Sequence, residues 1–308
     1  MIHLDADAIA RAHVPPELIA ALAQAFAGPT VTPARAHHSL GPEAEDGVLL
    51  LMPAWRLGEA IGVKIATVLP RNAQIGRPTV DGLYVLLGPD GAPRALLDAK
   101  PLTLARTAAV SALAASWLAR PDARTLLMVG TGALAPHLVR AHAAARGYER
   151  VLVWGRSGDK AEALAARLAA EGLPAGPAGD LAAAVGEADV VSCATLSREP
   201  LVRGAWLKPG AHLDLVGGYT PAMREADDEA VCRAAVFVDT ATALVEAGDM
   251  AGPIASGLLD AGAVVELATL ARAGGRARAA GEITLFKAVG TALADLAAAE
   301  HFMSRQPA

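Results

Sequence analysis

The stretch Arg124-Thr-Leu-Leu-Met-Val-Gly-Thr-Gly-Ala-Leu-Ala135 constrains the fold of this chain more than any other. Five β-competent residues, Thr125 to Val129, run directly into Gly130-x-Gly132-x-x-Ala135 and an alanine-rich segment of helical character. A strand that feeds a glycine turn and a helix start is the frame of a dinucleotide site. Gly130 permits the tight turn, Gly132 lets a pyrophosphate approach the backbone, and the small Ala135 lets the helix pack closely on the strand. The helix, expected from Ala133 onward, offers unpaired N–H groups and a positive dipole end to phosphate.

Downstream, strand and helix alternate. Helix Ala133–Ala145, strand Val151–Trp154 and helix Asp159–Ala170 are followed by a link through Pro174–Gly179 and a helix Leu181–Val185. Strands are then expected at Val190–Ala194, His212–Val216 and Val236–Val238. This order implies a parallel sheet wound by right-handed crossovers, with ligand across the carboxyl ends of its strands. An NAD site would carry an Asp or Glu at the end of the second strand to accept from the ribose 2′-hydroxyl. Here the chain reads Gly155-Arg156-Ser157 with Lys160 shortly after. Cations without a carboxylate favour a 2′-phosphate, so NADPH is the expected cofactor and NADH the second choice.

The upstream third has a different texture. Leu18, Ile19, Leu22 and Phe26 repeat at helical spacing from Pro15 to Ala27. Val31–His38 forms a loop or edge strand carrying Arg35, which by itself is an ordinary surface charge. Gly47–Ala54 and Ala60–Leu69 are apolar runs, and Lys64 interrupts the second. A lysine in a buried strand costs desolvation unless it is paired, so Lys64 either faces solvent or meets an anionic ligand. Thr79–Gly91 and Arg94–Ala99 form a hairpin around a Pro-Asp-Gly turn. A helix starts at Pro101 and runs to about Leu118, with Arg106 as a fixed charge on an apolar surface, turned either to solvent or to a carboxylate that its fork can bind. Gly281–Gly290 opens a last helix running to about Ala299, after a linker at Gly274-Gly275.

The net charge of −5 and pI of about 5.9 leave no electrostatic footprint for nucleic acid or an anionic membrane. Thr107–Leu118, the most apolar helical stretch, is well short of the roughly 20 residues that span a bilayer. Met1–Ala10 has no basic-then-apolar pattern, so a cytoplasmic location is expected. Cys193 and Cys232 lack zinc-site spacing, and no metal is expected; Cys193 reads as a small core residue.

Leu102-Thr-Leu-Ala-Arg-Thr-Ala-Ala-Val-Ser-Ala-Leu-Ala, then Leu118-Ala-Arg and Val129-Gly-Thr-Gly-Ala, resemble the ornithine cyclodeaminase/μ-crystallin family. So do Met52-Pro53, Gly62-Val-Lys64, Gly210-Ala-His212-Leu, Val216-Gly-Gly, Arg224-Glu225 and Glu246-Ala-Gly-Asp249. The resemblance covers nearly the whole chain. It implies an α/β protein with a Rossmann-type domain (121–280) inserted into a discontinuous α+β substrate-binding and dimerisation domain (1–120, with 281–308 returning to it), and a homodimer. It also implies that Arg35, Lys64 and Arg106 clamp a substrate carboxylate. Thr79 and Thr195 would touch the cofactor, and Val216 and Gly217 would lie near the nicotinamide.

Departures from the family pattern narrow the chemistry. Tyr219 stands where ornithine cyclodeaminases place a catalytic Asp, and Leu50 where they place a Glu for the distal ammonium. A dibasic amino acid thus has no anchor. The form Asp214-Leu-Val-Gly-Gly-Tyr-Thr-Pro-Ala-Met-Arg-Glu-Ala-Asp-Asp is similar to the branch whose members reduce cyclic imino acids. The resemblance therefore implies hydride delivery from NAD(P)H to the C=N bond of a small cyclic imino acid, with Lys64 or a water as proton source. The alternatives are a 2-keto acid reductive aminase of alanine-dehydrogenase type, an ornithine cyclodeaminase-like enzyme, and a non-catalytic μ-crystallin-like binder of a small ligand.

Overall fold

Alternation along residues 48–98 builds a sheet with one buried and one open face. The computed structural model describes residues 1–43 and 46–306. They form two compact units, Met1–Arg106 with Thr291–Ala308, and Thr107–Gly290.

The first unit opens with β1 (Ile2–Leu4), α1 (Ala6–Ala12) and α2 (Pro15–Ala27), then β2 (Ala36–Ser39), β3 (Val48–Arg56), β4 (Ala60–Val68), β5 (Val80–Leu87) and β6 (Pro93–Asp98). Their order in the sheet is β1-β6-β5-β4-β3-β2, antiparallel except for the β1 pairing. Met52, Lys64 and Tyr84 lie side by side across β3, β4 and β5, all buried. One residue along, Leu51, Ile65 and Leu83 form the matching row on the other face, since side chains alternate with period two. Helix α3 (Ala99–Leu118) begins two residues before Pro101, which sits in the first turn where its missing N–H costs nothing. The boundary between the units falls within α3.

The second unit contains β7 (Thr125–Val129), α4 (Ala135–Ala145), β8 (Arg150–Trp154), α5 (Gly158–Ala170), β9 (Ala175–Pro177), α6 (Leu181–Glu187), β10 (Val190–Cys193) and β11 (His212–Leu215). After these come α7 (Asp228–Cys232), β12 (Ala234–Val238), α8 (Ala243–Glu246), α9 (Gly248–Ala255), β13 (Val265–Glu266), α10 (Leu267–Ala273) and β14 (Ile283–Lys287). All eight strands are parallel, in the order β13-β12-β14-β11-β10-β7-β8-β9. The link expected at Pro174–Gly179 contains the short edge strand β9. Cys193 is buried in the core.

The helix expected to open at Gly281 is a strand. Ile283-Thr-Leu-Phe-Lys287 lies between β11 and β12 with every residue buried. A strand covered on both faces shows no polar alternation, and periodicity alone does not separate such an apolar run from a buried helix. Gly274, in the left-handed conformation at φ 69°, closes α10, and the chain continues from there into β14.

The final helix, α11 (Ala292–Ser304), belongs to the first unit, where it packs against α2, β3 and β4. The Thr291 hydroxyl caps it by accepting from the Leu293 amide. Residues 292–299 are all buried, and Asp295 is the one charged side chain among them. Among the described residues no helix is long and apolar enough to cross a membrane.

Candidate active site

The inward row of the antiparallel sheet sets the electrostatics of the first unit. Gly62 and Ala66 flank Lys64 on β4, so alternation turns its side chain inward, where it is 5% exposed. It meets Asp295, whose Oδ2 lies 2.8 Å from Nζ. Arg106 is also 5% exposed and donates from Nε to Asp295 Oδ1 at 2.8 Å. Lys64 thus faces neither solvent nor only a ligand; it is paired within the protein.

Lys64 and Arg106 line a cavity of about 400 Å³ together with Arg35, Leu50, Met52 and Thr79 among others. Burial lowers the Lys64 pKa; Asp295 opposes this, Arg106 and Arg35 add to it, and the result is about 8. Burial alone would raise the Asp295 pKa, but Lys64 and Arg106 hold it below the ordinary carboxylate value. Tyr84, the register neighbour of Lys64, has a buried hydroxyl without a hydrogen-bond partner among the described residues. Burial, then Asp295 and Glu300, push its pKa well above normal. Chemically, this is a cationic corner in a largely apolar chamber, suited to one carboxylate on a small apolar body. Leu50 presents no charge that could hold a distal ammonium.

The second unit contains a larger cavity, of about 770 Å³, at the carboxyl ends of its strands. Gly130, Gly132, Arg156, Ser157, Lys160 and Thr195 all line it. Gly130 has φ 120°, and a Cβ there would fall 2.6 Å from the Ala194 carbonyl oxygen. A Cβ on Gly132 would meet nothing within 4 Å, so the backbone at this point is open to a close-approaching ligand. Neither Leu134 nor Ser157, at the starts of α4 and α5, caps its helix with a side-chain bond. Both helix starts therefore keep N–H groups for phosphate oxygens. These residues fit a dinucleotide. Ala133 is exposed in the glycine turn but lies off the cavity lining, and Thr79 lines the first-unit cavity instead.

Val216 and Gly217 follow β11 and lie outside the lining of the larger cavity. Glu225 ties Gly217 to Thr195. Its Oε1 accepts from the Thr195 amide at 2.7 Å and hydroxyl at 3.0 Å, and its Oε2 from the Gly217 amide at 2.8 Å and the Gly218 amide at 3.3 Å. Fully buried Lys287 lies 3.6 Å from Glu225 Oε2 and 3.1 Å from Asp249 Oδ2. Burial raises the Glu225 pKa, and with Lys287 lowering it and Asp249 raising it, the value settles at about 7. Burial would lower the Lys287 pKa, but Asp249 and Glu225 raise it above normal. The loops after β10 and β11 are so close that a Cβ on Gly217 would lie 1.9 Å from the Thr195 carbonyl oxygen.

Sequence reasoning misses Asp295 and this buried triad. A lone carboxylate in the apolar run Ala292–Ala299 was a signal of the same kind as Lys64 in its strand. Lys287 was hidden by the helical reading of its segment, and Glu225 and Asp249 carried a family pattern but no assigned role.

Residues 7–306 match the family model described as ornithine cyclodeaminase/mu-crystallin family. The Delta(1)-pyrroline-2-carboxylate reductase of Paracoccus denitrificans is 45% identical over 269 residues, covering 85% of this chain and 84% of the relative. The structure of Thermococcus litoralis Delta(1)-pyrroline-2-carboxylate reductase in complex with NADH and L-proline superposes with a TM-score of 0.92 at 30% identity, covering 99% of this chain and 97% of the other. An archaeal alanine dehydrogenase dimer with bound NAD gives 0.90 at 26% identity, covering 99% and 95%. The glycine turn, the cationic corner and these similarities converge, and the chain belongs to the ornithine cyclodeaminase/mu-crystallin family.

Proposed function

We propose that the protein is an oxidoreductase acting on C=N, reducing Δ1-pyrroline-2-carboxylate, or its six-membered homologue Δ1-piperideine-2-carboxylate, to L-proline or L-pipecolate. The observation that carries this reading is the pairing of a cationic corner, Lys64 and Arg106 on Asp295, with apolar walls that include Leu50 and Met52. The cations serve one carboxylate, while Leu50 and Met52 offer no charge to a distal ammonium. The nicotinamide cofactor, when bound, supplies a hydride to C2 of the imine. Arg35, Lys64 and Arg106 hold the carboxylate, and this fixed orientation converts an encounter into a near-attack arrangement. Lys64, protonated below about pH 8, is the acid available at this wall when the imine arrives without its proton.

Gly130, Gly132, Ala133 and Ser157 would take the pyrophosphate region. Arg156 and Lys160, with no carboxylate at the end of β8, support NADPH over NADH. Thr195, Val216 and Gly217 would complete the nicotinamide side within the second unit. Homodimerisation is supported by the outer face of the antiparallel sheet, where Leu51, Pro53, Val63, Ile65, Leu83 and Val85 form a contiguous apolar surface. Light scattering is expected to give twice the chain mass, and a Leu83→Glu substitution to lower it towards one.

The purified protein is expected to oxidise NADPH with the cyclic imine and to do so slowly or not at all with pyruvate plus ammonia or methylamine. No oxidation with either ring size overturns the reading. Tight ligand binding without turnover, unaffected in Lys64→Ala, would mark a binder instead. In the double variant Arg156→Ala/Lys160→Ala the KM for NADPH is expected to rise about tenfold while that for NADH stays within twofold, as expected for the loss of about 1.4 kcal/mol of charge-assisted bonding.

A further inference from the structure

We propose that Asp295 is a positioning residue of the carboxylate site, which fixes the outward fork of Arg106 and holds Lys64 in its charged form; this rests on the reductase reading above. Asp295 is fully buried on an apolar helix, and a carboxylate there is tolerated only because two cations meet it. Its two oxygens are divided, one to Lys64 Nζ and one to Arg106 Nε. Arg106 is anchored through Nε, no described residue accepts a hydrogen bond from its two terminal nitrogens, and Arg106 lines the cavity. That pair is the part of the guanidinium whose geometry matches both oxygens of a carboxylate.

Charge balance leads to the same role. Lys64 is faced by Arg106 from α3, Arg35 from the segment before β2, Asp295 from α11 and the Tyr84 hydroxyl from β5. Two of these neighbours are cations that drive its proton off, and burial acts in the same direction; Asp295 alone opposes them. Lys64, Arg106 and Asp295 together leave one net positive charge, the complement of a single carboxylate. Without Asp295, burial and two arginines would neutralise Lys64 in the pH range where the enzyme must bind an anion.

The test follows the pH at which anion binding is lost, using pyrrole-2-carboxylate as a planar mimic, by calorimetry, beside kcat/KM for the cyclic imine. Wild type is expected to lose both with a midpoint near 8. In Asp295→Asn the midpoint falls by about one unit or more, the usual effect of removing an opposite charge within ion-pair distance. Affinity for the reduced dinucleotide, read from its fluorescence, stays unchanged. In Lys64→Arg the midpoint disappears, because a guanidinium does not titrate there. Asp295→Glu keeps the charge one methylene displaced: it holds the midpoint near 8 while raising KM, and this variant decides the matter if Asp295→Asn does not fold. A folded Asp295→Asn with the wild-type midpoint, an Asp295→Glu midpoint displaced by a unit, or a midpoint that survives Lys64→Arg overturns the proposal. Failure of the reductase reading is distinct: wild type then turns over no imine, whereas the mimic's binding midpoint still moves in Asp295→Asn.

Discussion

Replacing Lys64 by methionine is expected to lower kcat/KM for the cyclic imine by about a thousandfold, the upper range for losing one preorganised polar group at a reacting centre. Methionine matches the length of the stem and fills the same inward space beside Met52, so the sheet retains its packing. The loss is in charge, not shape. Asp295 keeps Arg106 at Oδ1 but loses its cation at Oδ2, so a lower Tm is expected beside the kinetic loss, and the two are read separately. Dinucleotide binding should be unaffected, because the glycine turn and the helix starts belong to the other unit. Steady-state kinetics with dinucleotide titration checks this; a Lys64→Met enzyme with kcat/KM within tenfold of wild type would remove Lys64 from the mechanism. The pH dependence has a definite sign. The Lys64 pKa is lowered to about 8, so the charged form and the activity it supports are present below that value and lost above it.

Lys287→Met is expected to act on stability. Lys287 is fully buried in the centre of the parallel sheet and faces both Glu225 and Asp249. Removing it leaves two carboxylates in the interior without their cation, and breaking a buried pair in this way costs about 3–5 kcal/mol. For a domain of this size that corresponds to a Tm lower by roughly 10 °C. The burial-raised pKa of Glu225, about 7 with Lys287 in place, rises further, so the carboxyl takes up a proton at neutral pH. A protonated Glu225 no longer accepts at both oxygens from Thr195, Gly217 and Gly218, and dinucleotide affinity should fall together with Tm. Calorimetric unfolding across pH 6 to 9 measures the first effect and fluorescence titration the second. Unchanged Tm would mean that the triad contributes nothing net.

Legibility in the sequence followed the range of the physics. The parallel sheet was readable because Thr125–Val129, Val151–Trp154 and Val190–Ala194 each alternate with helices under local rules. The glycine turn was readable because its backbone demands lie within six residues. Ile283–Lys287 was misread because a strand buried on both faces has no period of its own; what defines it is the pair of neighbours, β11 and β12, that the chain laid down far earlier. Lys64 and Arg106 stood out as charges in apolar runs, yet their shared partner could not be found by spacing. Asp295 lies 189 residues beyond Arg106, and no local rule connects them.

That separation has a consequence for how the protein is made. Helix α11 neutralises charges buried or half-buried in residues produced early in synthesis: Asp295 takes Lys64 and Arg106, and Glu300 takes Arg56 at 2.6 Å. The N-terminal sheet thus emerges from the ribosome before Asp295, the acid that Lys64 and Arg106 meet, whereas Arg56 already has Glu59 in its own segment. Helix α11 completes the charge balance of that face. A chain cut short before residue 291 would keep its dinucleotide turn and its strands, but its inner cations would stay in water and no carboxylate site would form. The anion-binding corner therefore depends on the docking of α11.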